Sequence, residues 1–363
     1  MSFFKQIRKT KNYCYIIAEA GVNHVLNDND LEKLGVSSPL EVAFKMVDAA
    51  KEAGVDAIKF QSFTAENLQF KGVEKPQYQK NNVGNDNKIT YFDLIKNLET
   101  STQDQIQIAN YCKEKGITFI STPYDNESVD FLDEIIDIPF FKLASIEVNN
   151  HLFLKYVAQK GKTILLSTGL STFEDVKEVV EIARQEGFVD NLILLQCTTN
   201  YPTEFSDINL NVLKTYQKEF PDIKIGFSDH SPSYTASIGA VALGSIVVEK
   251  HFTLNKNFEG PDHASSLNPS ELEEWVKRIR ELSLSLGSYD KIITESEKKN
   301  LTMRKFLVIT PQKKDTIIKE NLLRTMRTGD GILPTEKNLK KIISKRLKID
   351  INKLTPLNWD IIY

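Results

Sequence analysis

Eight short apolar runs, each followed by an amphipathic helical stretch, govern what most of this chain can fold into. They cover residues 13–19, 56–61, 117–122, 139–145, 163–168, 192–198, 223–230 and 246–251. The runs are continuous, as expected of parallel strands covered by helices, whereas a one-sided sheet would alternate. The helices between them carry start and stop signals. Ser38, Pro39 and Glu41 form an S-x-x-E start, after which Leu40, Ala43, Phe44 and Val47 trace one face. Ser171 and Glu174 predict a second such start, with Val176, Val179, Val180 and Ala183 on one face and Gly187 as the stop. A helix–glycine–strand junction recurs as KEAGV (51–55) and KEKGI (113–117). Eight repeated units of this kind predict an α/β chain built as a (β/α)8 TIM barrel, with a doubly wound sheet as the weaker alternative. The reading places the barrel at 1–286, a linker at 287–300 and a small C-terminal domain at 301–363.

A length of 363 residues suits a barrel with an appendage. With 41% apolar and 26% charged residues, the composition excludes disordered, collagen-like and disulfide-scaffold classes. The three cysteines, Cys14, Cys112 and Cys197, lie far apart, which fits a reducing compartment and gives no zinc spacing. No apolar run approaches the roughly 18 residues needed to span a bilayer, and the N-terminal run lacks a small-residue cleavage site. A cytoplasmic protein with no membrane partner is the expectation. Residues 291–363 hold 17 Lys+Arg against 8 Asp+Glu, a formal +9, and the remainder carries −12 within a whole-chain −3. The basic part lacks aromatic interleaving, so it is read as docking on the acidic part or facing an anionic ligand, and no nucleic acid is expected.

Barrel enzymes work at the C-terminal ends of their strands. Here those ends carry Glu19; Lys59 and Gln61; Ser121 and Thr122; Lys142 and Ser145; Ser167 and Thr168; Thr198 and Thr199; Ser228, Asp229 and His230; and Glu249, Lys250 and His251. Strands simply ending where polarity begins would explain any one case, but poorly explains three lysines, since Lys is rarely buried unless paired. His230 and His251 on adjacent strands, with Asp229 and Glu249 as orienting carboxylates, suit Mn2+ or a similar ion with open water positions. Two hydrogen-bonding core histidines are the plainer alternative. His24 and His263 fall in loops that would line the site, and His151 looks like a helix-start residue. Lys59 and Lys142, with Thr122, Ser145, Ser167 and Ser228, suit a small dianion carrying phosphate and carboxylate. Neither GxxxxGKS nor GxGxxG occurs, so nucleotides have little support. A lysine imine is the rival chemistry, and nearby glutamates argue against it by keeping the lysines charged.

The motifs AEAGVNH (18–24), KFQSF (59–63), FISTP (119–123), FKLASIEVNN (141–150), LLSTG (165–169), QCTTNYPT (196–203), GFSDH (226–230), EKHFTL (249–254) and GPDHASSL (260–267) resemble the sialic-acid (nonulosonic acid) synthase family. RKFLV (304–308), KENL (319–322) and MRTGDGI (326–332) resemble, in more divergent form, its C-terminal antifreeze-like (SAF) domain. The resemblance implies a metal-dependent condensation of phosphoenolpyruvate with an N-acylated mannosamine-type aldose. The sugar would be N-acetylmannosamine or 2,4-diacetamido-2,4,6-trideoxymannose, and the products a nine-carbon 2-keto acid and phosphate. It implies His230 and His251 as ligands of a divalent ion, Mn2+ ahead of Mg2+ or Co2+. It implies phosphoenolpyruvate contacts from Lys59, Thr122, Lys142, Ser145, Ser167 and Ser228. Glu19, Asn85, Tyr201 and Asp262 match residues near the sugar, and Gln61 and Glu147 fall in site motifs, with Glu19 or Glu147 as general acid or base. Arg327 matches an arginine that reaches the partner's sugar across a domain-swapped homodimer. Three departures stand out: Thr199 where some members carry Asn at a phosphoenolpyruvate contact, a longer segment at 25–38, and Thr328 in place of the proline after the arginine. FQSF and YPTEF lean towards the legionaminate branch. The rival readings are a Schiff-base aldolase barrel and a catalytically inactive carbohydrate-binding or assembly protein.

Overall fold

The computed structural model describes residues 12–76, 79–80 and 90–363, and the chain divides into two compact units, Met1–Gly287 and Ser288–Tyr363. In the first unit the eight runs form β1 (Tyr15–Gly21), β2 (Ala57–Ser62), β3 (Thr118–Pro123), β4 (Phe140–Leu143), β5 (Thr163–Ser167), β6 (Leu192–Cys197), β7 (Lys224–Asp229) and β8 (Val247–His251). All neighbours pair in parallel, in the ladder order β3-β2-β1-β8-β7-β6-β5-β4. The ladder begins at β3 and ends at β4. The main helices are α1 (Asp28–Leu34), α2 (Pro39–Ala53), α3 (Thr102–Lys115), α4 (Asn126–Asp130), α5 (His151–Ala158), α6 (Phe173–Gln185), α7 (Val212–Glu219), α8 (Thr235–Ala242) and α9 (Pro269–Ser285). This is the (β/α)8 barrel, so the doubly wound alternative falls.

Two cores explain why the runs looked continuous. Outward residues such as Ile16, Ala18, Ile58, Phe119, Phe141 and Leu166 pack against the helices. Inward residues Tyr15, Ile17, Ala57, Ile120, Phe140, Leu165, Ile193, Leu195 and Val247 form a separate plug inside the barrel. Both faces are buried along most of each strand, so apolar residues run together until the polar residues near the C-terminal ends.

The helix starts hold with two adjustments. Ser38 accepts from the Glu41 amide, but the Glu41 carboxylate turns to the amide and hydroxyl of Ser37. The start predicted at Ser171 falls one residue later. Thr172 caps α6, and Asp175 returns to the Thr172 amide and hydroxyl, both at 2.6 Å. Ser171 instead donates to the Gly169 carbonyl at 3.0 Å, so the turn takes the nearer hydroxyl and leaves the next one for the cap. His151 does begin α5, after an Asn150 cap.

The second unit is a three-stranded antiparallel sheet in which β9 (Phe306–Ile309) lies between β10 (Leu323–Met326) and β11 (Thr355–Pro356). Its own core gathers Leu307, Ile309, Ile318, Ile332, Ile342, Leu347, Ile351, Leu357 and Ile362. The stretch read as a linker contains a helical turn, Glu295–Lys298, with a Thr294–Glu297 capping box. Among the described residues, no helix is long and apolar enough to cross a membrane.

Candidate active site

Following each strand inward, the apolar plug gives way to polar side chains at the C-terminal end, as period-two alternation requires. Ile17 leads to Glu19, Ala57 to Lys59 and Gln61, Ile120 to Thr122, Phe140 to Lys142, Leu165 to Ser167, Leu195 to Cys197, and Val247 to Glu249 and His251. The register then assembles them: Glu19 lies opposite Lys59 on one side and His251 on the other, and Ser228 lies opposite Glu249. Above this floor is a cavity of about 500 Å3. Gly21 carries the backbone out of β1 at φ 53° beside a break in the β1–β2 register, a conformation that L side chains rarely adopt.

The floor is a row of alternating charges. Glu19 Oε2 is 2.6 Å from Lys59 Nζ, which is 3.8 Å from Glu249, which is 3.7 Å from Lys142 Nζ. All four are buried. Lys59 also donates to Thr122 Oγ1 at 2.9 Å, Gln61 donates to Glu19 at 3.1 Å, and Ser228 donates to Glu249 at 3.2 Å. Burial works against charge everywhere here, and the neighbours decide the result. Glu19 is pushed up to about 7 by burial and by Glu249, against the pull of Lys59. Lys59 is raised because Glu19 and Glu249 outweigh its burial, and Glu249 is lowered because Lys142 and Lys59 outweigh its own. Lys142 goes the other way: burial wins and holds it below its ordinary value. The raised Lys59 supports the expectation that carboxylates keep the lysines charged, and at Lys142 burial works against it.

A stability prediction follows for Glu19. Its folded value of about 7 lies above 4.5, so the folded protein holds the extra proton between those values and stability falls as pH rises through that window. Measured by urea unfolding, the stability of wild type relative to Glu19→Gln should improve on going from about pH 8 to about pH 5. A pH-independent gap would rule this out.

Hydroxyls close the sides. Ser145, in the turn after β4, accepts from the Gly169 amide at 3.0 Å. A Cβ on Gly169 would stand 2.2 Å from Thr199 Oγ1 and 2.9 Å from Ser145 Oγ, so only glycine fits. The Ser167 and Thr199 hydroxyls are buried without a hydrogen-bond partner in the protein and line the cavity.

On the opposite side His230 and His251 face each other with ring centroids 5.3 Å apart, and Tyr201 lies over His230 at 4.1 Å and edge-on to His251 at 5.3 Å. His230 Nδ1 is 2.8 Å from the Thr198 carbonyl, which it meets as a donor, leaving the Nε2 lone pair for a ligand. His251 Nδ1 is buried without a hydrogen bond, 3.8 Å from Asp262. Burial, then the charge of His230, drives His251 well below its ordinary value and keeps it neutral. Burial lifts Asp262 to about 6, against His230 and Lys59. Burial works against charge on His230, but Cys197, the Thr198 carbonyl and Glu249 outweigh it and hold the ring above its ordinary value, so a divalent ion of the Mn2+ type would replace that proton at the imidazole pair beside Asp262. Among the described residues no group of three His, Cys, Asp or Glu is arranged to hold a metal, so water and substrate oxygens would complete its shell.

Several expected neighbours lie elsewhere. Asp229 and Lys250 point out of the barrel as an ion pair at 3.3 Å with fully buried side chains. Alternation sends them to the helix side, so Asp229 binds Ser231 and Ser237 and orients neither histidine. Glu249 likewise serves the lysines. Glu147, in the turn Ser145–Glu147, is buried and accepts from Asn150 at 2.7 Å, away from the cavity wall. His24 meets Thr100 and His263 meets Thr253, both buried outside the cavity. Asn85 lies outside the described residues, and Arg327 is an exposed residue of the second unit. Sequence reading missed the apolar part of the cavity lining, which includes Val22, Phe63, Leu98, Tyr124, Ile146 and Leu170. These come from the loops after β1 to β5, where no strand periodicity flags them.

The NeuB family model matches residues 46–291. The chain is 36% identical to N,N'-diacetyllegionaminic acid synthase of Legionella pneumophila over 357 residues, covering 96% of this chain and 94% of that one. It is 38% identical to N-acetylneuraminate-9-phosphate synthase of Homo sapiens over 285 residues, covering 78% and 74%. Among solved structures, N-acetylneuraminic acid synthetase from Leptospira borgpetersenii aligns with a TM-score of 0.66 at 27% identity, covering 80% of this chain and 91% of that one.

Proposed function

The chain belongs to the NeuB family, and from that footing we propose that it condenses phosphoenolpyruvate with an N-acylated mannosamine-type aldose to a nine-carbon 2-keto acid and phosphate. The observation that carries this reading is one cavity lined both by buried lysines and hydroxyls and by apolar side chains from the surrounding loops. Lys59, Lys142, Thr122, Ser145, Ser167 and Thr199 receive the phosphate and carboxylate of phosphoenolpyruvate, and Tyr201 and Asp262 flank the sugar. A divalent ion held by His230 and His251, Mn2+ ahead of Mg2+ or Co2+, supplies Lewis-acid polarisation of the aldehyde oxygen when bound. C3 of phosphoenolpyruvate attacks the aldehyde carbon, the aldehyde oxygen takes a proton, water adds at C2, and phosphate leaves with its bridging oxygen. The lysines stabilise the charge that redistributes over the phosphoenolpyruvate moiety as the new bond forms. Glu19, poised near neutrality at the cavity floor, is the group suited to carry protons, while Glu147 lies off the wall.

The apolar part of the lining favours 2,4-diacetamido-2,4,6-trideoxymannose over N-acetylmannosamine, because each buried methyl or methylene contributes about 0.8 kcal/mol. Phosphate release from phosphoenolpyruvate, measured with a panel of N-acyl hexosamines with Mn2+ or EDTA, tests the whole reading. The diacetamido sugar should give the highest kcat/KM, and no release with any sugar would overturn it. A lysine imine is favoured by one observation, the lowered Lys142; borohydride trapping with pyruvate separates the two.

The same reading takes the second unit as SAF-like and places Arg327 in the partner's site of a domain-swapped homodimer, in the cytoplasm. It is supported by the MRTGDG motif, the opposed charges of the two parts and three free buried cysteines. A guanidinium fork suits an N-acyl carbonyl better than an ammonium does. Mixing inactive His230→Ala and Arg327→Ala chains and letting subunits exchange should restore partial activity, because one hybrid site then carries neither lesion. Confirmed exchange without activity would exclude the swap.

A further inference from the structure

The segment 25–38, the longer stretch after His24, ties to the loop that carries Asp262. Leu26 and Leu31 anchor it in the main core, and Asn27 caps α1 by accepting from the Asp30 amide at 2.9 Å. Asp30 is a carboxylate with a 3% exposed side chain. One oxygen takes Lys33 at 2.5 Å, and the other accepts the backbone amide of Glu259 at 3.0 Å, across 229 residues of chain. Asn27 adds a second tie, donating to the Glu259 carboxylate at 3.0 Å. Glu259 stands three residues before Asp262, whose carboxylate lines the cavity beside His251. The intervening Gly260 packs so tightly on His263 that a Cβ would lie 2.7 Å from its ring. The far side of the same loop is held independently, by Asn23 donating to the Phe252 carbonyl and to Ser266 Oγ.

We propose that Asp30 is a positioning residue for the sugar: through the Glu259 amide it fixes the loop that presents Asp262 to the cavity. The physical reason is that Asp262 sits on a loop with no ladder of its own, and an ionised, buried acceptor gives a stronger hold on one amide than a neutral one. Its presenting Asp262 to the sugar rests on the proposed function; the tie between Asp30 and the loop does not.

The test compares Asp30→Ala and Asp30→Asn in steady-state kinetics, in an Asp262→Ala background, and by amide hydrogen exchange. Asp30→Ala should raise the KM for the sugar about tenfold while the KM for phosphoenolpyruvate stays within about twofold. Asp30→Asn keeps an oxygen acceptor for Glu259 but not its charge, and should recover part of that loss. With Asp262 already changed to Ala, adding Asp30→Ala should cost less than about twofold, because the two act as one unit. The Glu259 amide should exchange at least about tenfold faster in Asp30→Ala, with the strands unchanged. Equal rises in both KM values, full additivity with Asp262→Ala, or unchanged exchange at Glu259 would each overturn the proposal. If Asp30→Ala does not fold, Asn27→Ser keeps the α1 cap, loses the Glu259 tie, and should raise only the sugar KM. A wild type that turns over no sugar would instead defeat the functional reading, and the exchange measurement alone would then decide the anchor.

Discussion

Lys59→Met is expected to be the most damaging single change in the barrel, lowering both substrate affinity and stability. Lys59 sits between two buried carboxylates, 2.6 Å from Glu19 and 3.8 Å from Glu249. Its removal leaves them facing each other, and breaking a buried pair from one side costs about 3–5 kcal/mol. Loss of a charge-assisted bond to phosphate or carboxylate should raise the KM for phosphoenolpyruvate roughly ten- to hundredfold, with a far smaller effect on the sugar. Because Glu19 is the carboxylate already pushed up, its protonation offers relief, so the stability deficit should shrink as pH falls. Lys142→Met is the control: it leaves Glu249 with Lys59 as a partner, so affinity should drop with a smaller loss of stability. Denaturant unfolding at two pH values and initial rates for both substrates check this. Equal KM effects on the two substrates would mean general damage and would sink the phosphate-cradle assignment.

His230→Ala and His251→Ala are expected to abolish turnover and leave the fold nearly intact. His251 has no hydrogen bond at Nδ1 and is kept neutral at a cost, so its removal takes away little stabilisation. His230 gives up one bond to the Thr198 carbonyl, a loss of about 1 kcal/mol. If the pair carries the Lewis acid, several kcal/mol of transition-state stabilisation go with either ring, at least about a hundredfold in kcat. Calorimetric titration with Mn2+ should show one equivalent per wild-type chain and weakened binding in both variants. An EDTA-treated wild type that stays fully active with no residual metal would refute the idea.

The barrel was legible because its strands are buried along most of both faces, so each run stands out whole, and because glycine junctions mark the repeats. The site was legible down to its column, but the direction of each side chain was not. Lys250 and His251 adjoin in sequence, yet one faces the helices and the other the cavity. Only the alternation fixed by β8 separates them, and a run read as uniformly apolar conceals that phase. The same lack of phase credited Asp229 with orienting a histidine, when it belongs to a dry ion pair outside the ring. Glu147 stands off the cavity lining for another reason: β4 stops at Leu143, and the turn that follows rotates the next residues off the strand's alternation. The apolar part of the lining and the Asp30 tie come from loops and from contacts across the whole barrel, where sequence spacing carries no geometric information.

The backbone ladder that begins at β3 and ends at β4 leaves one seam in the ring without amide pairing. Under the proposed function, the phosphate cradle straddles that seam, with Thr122 of β3 and Lys59 of the next strand, β2, on one side and Lys142 and Ser145 on the other. A dianion gripped from both sides does there, through charge, what paired amides do at the other seven joints. The substrate would thus tie together the two adjoining strands that the backbone ladder leaves unpaired.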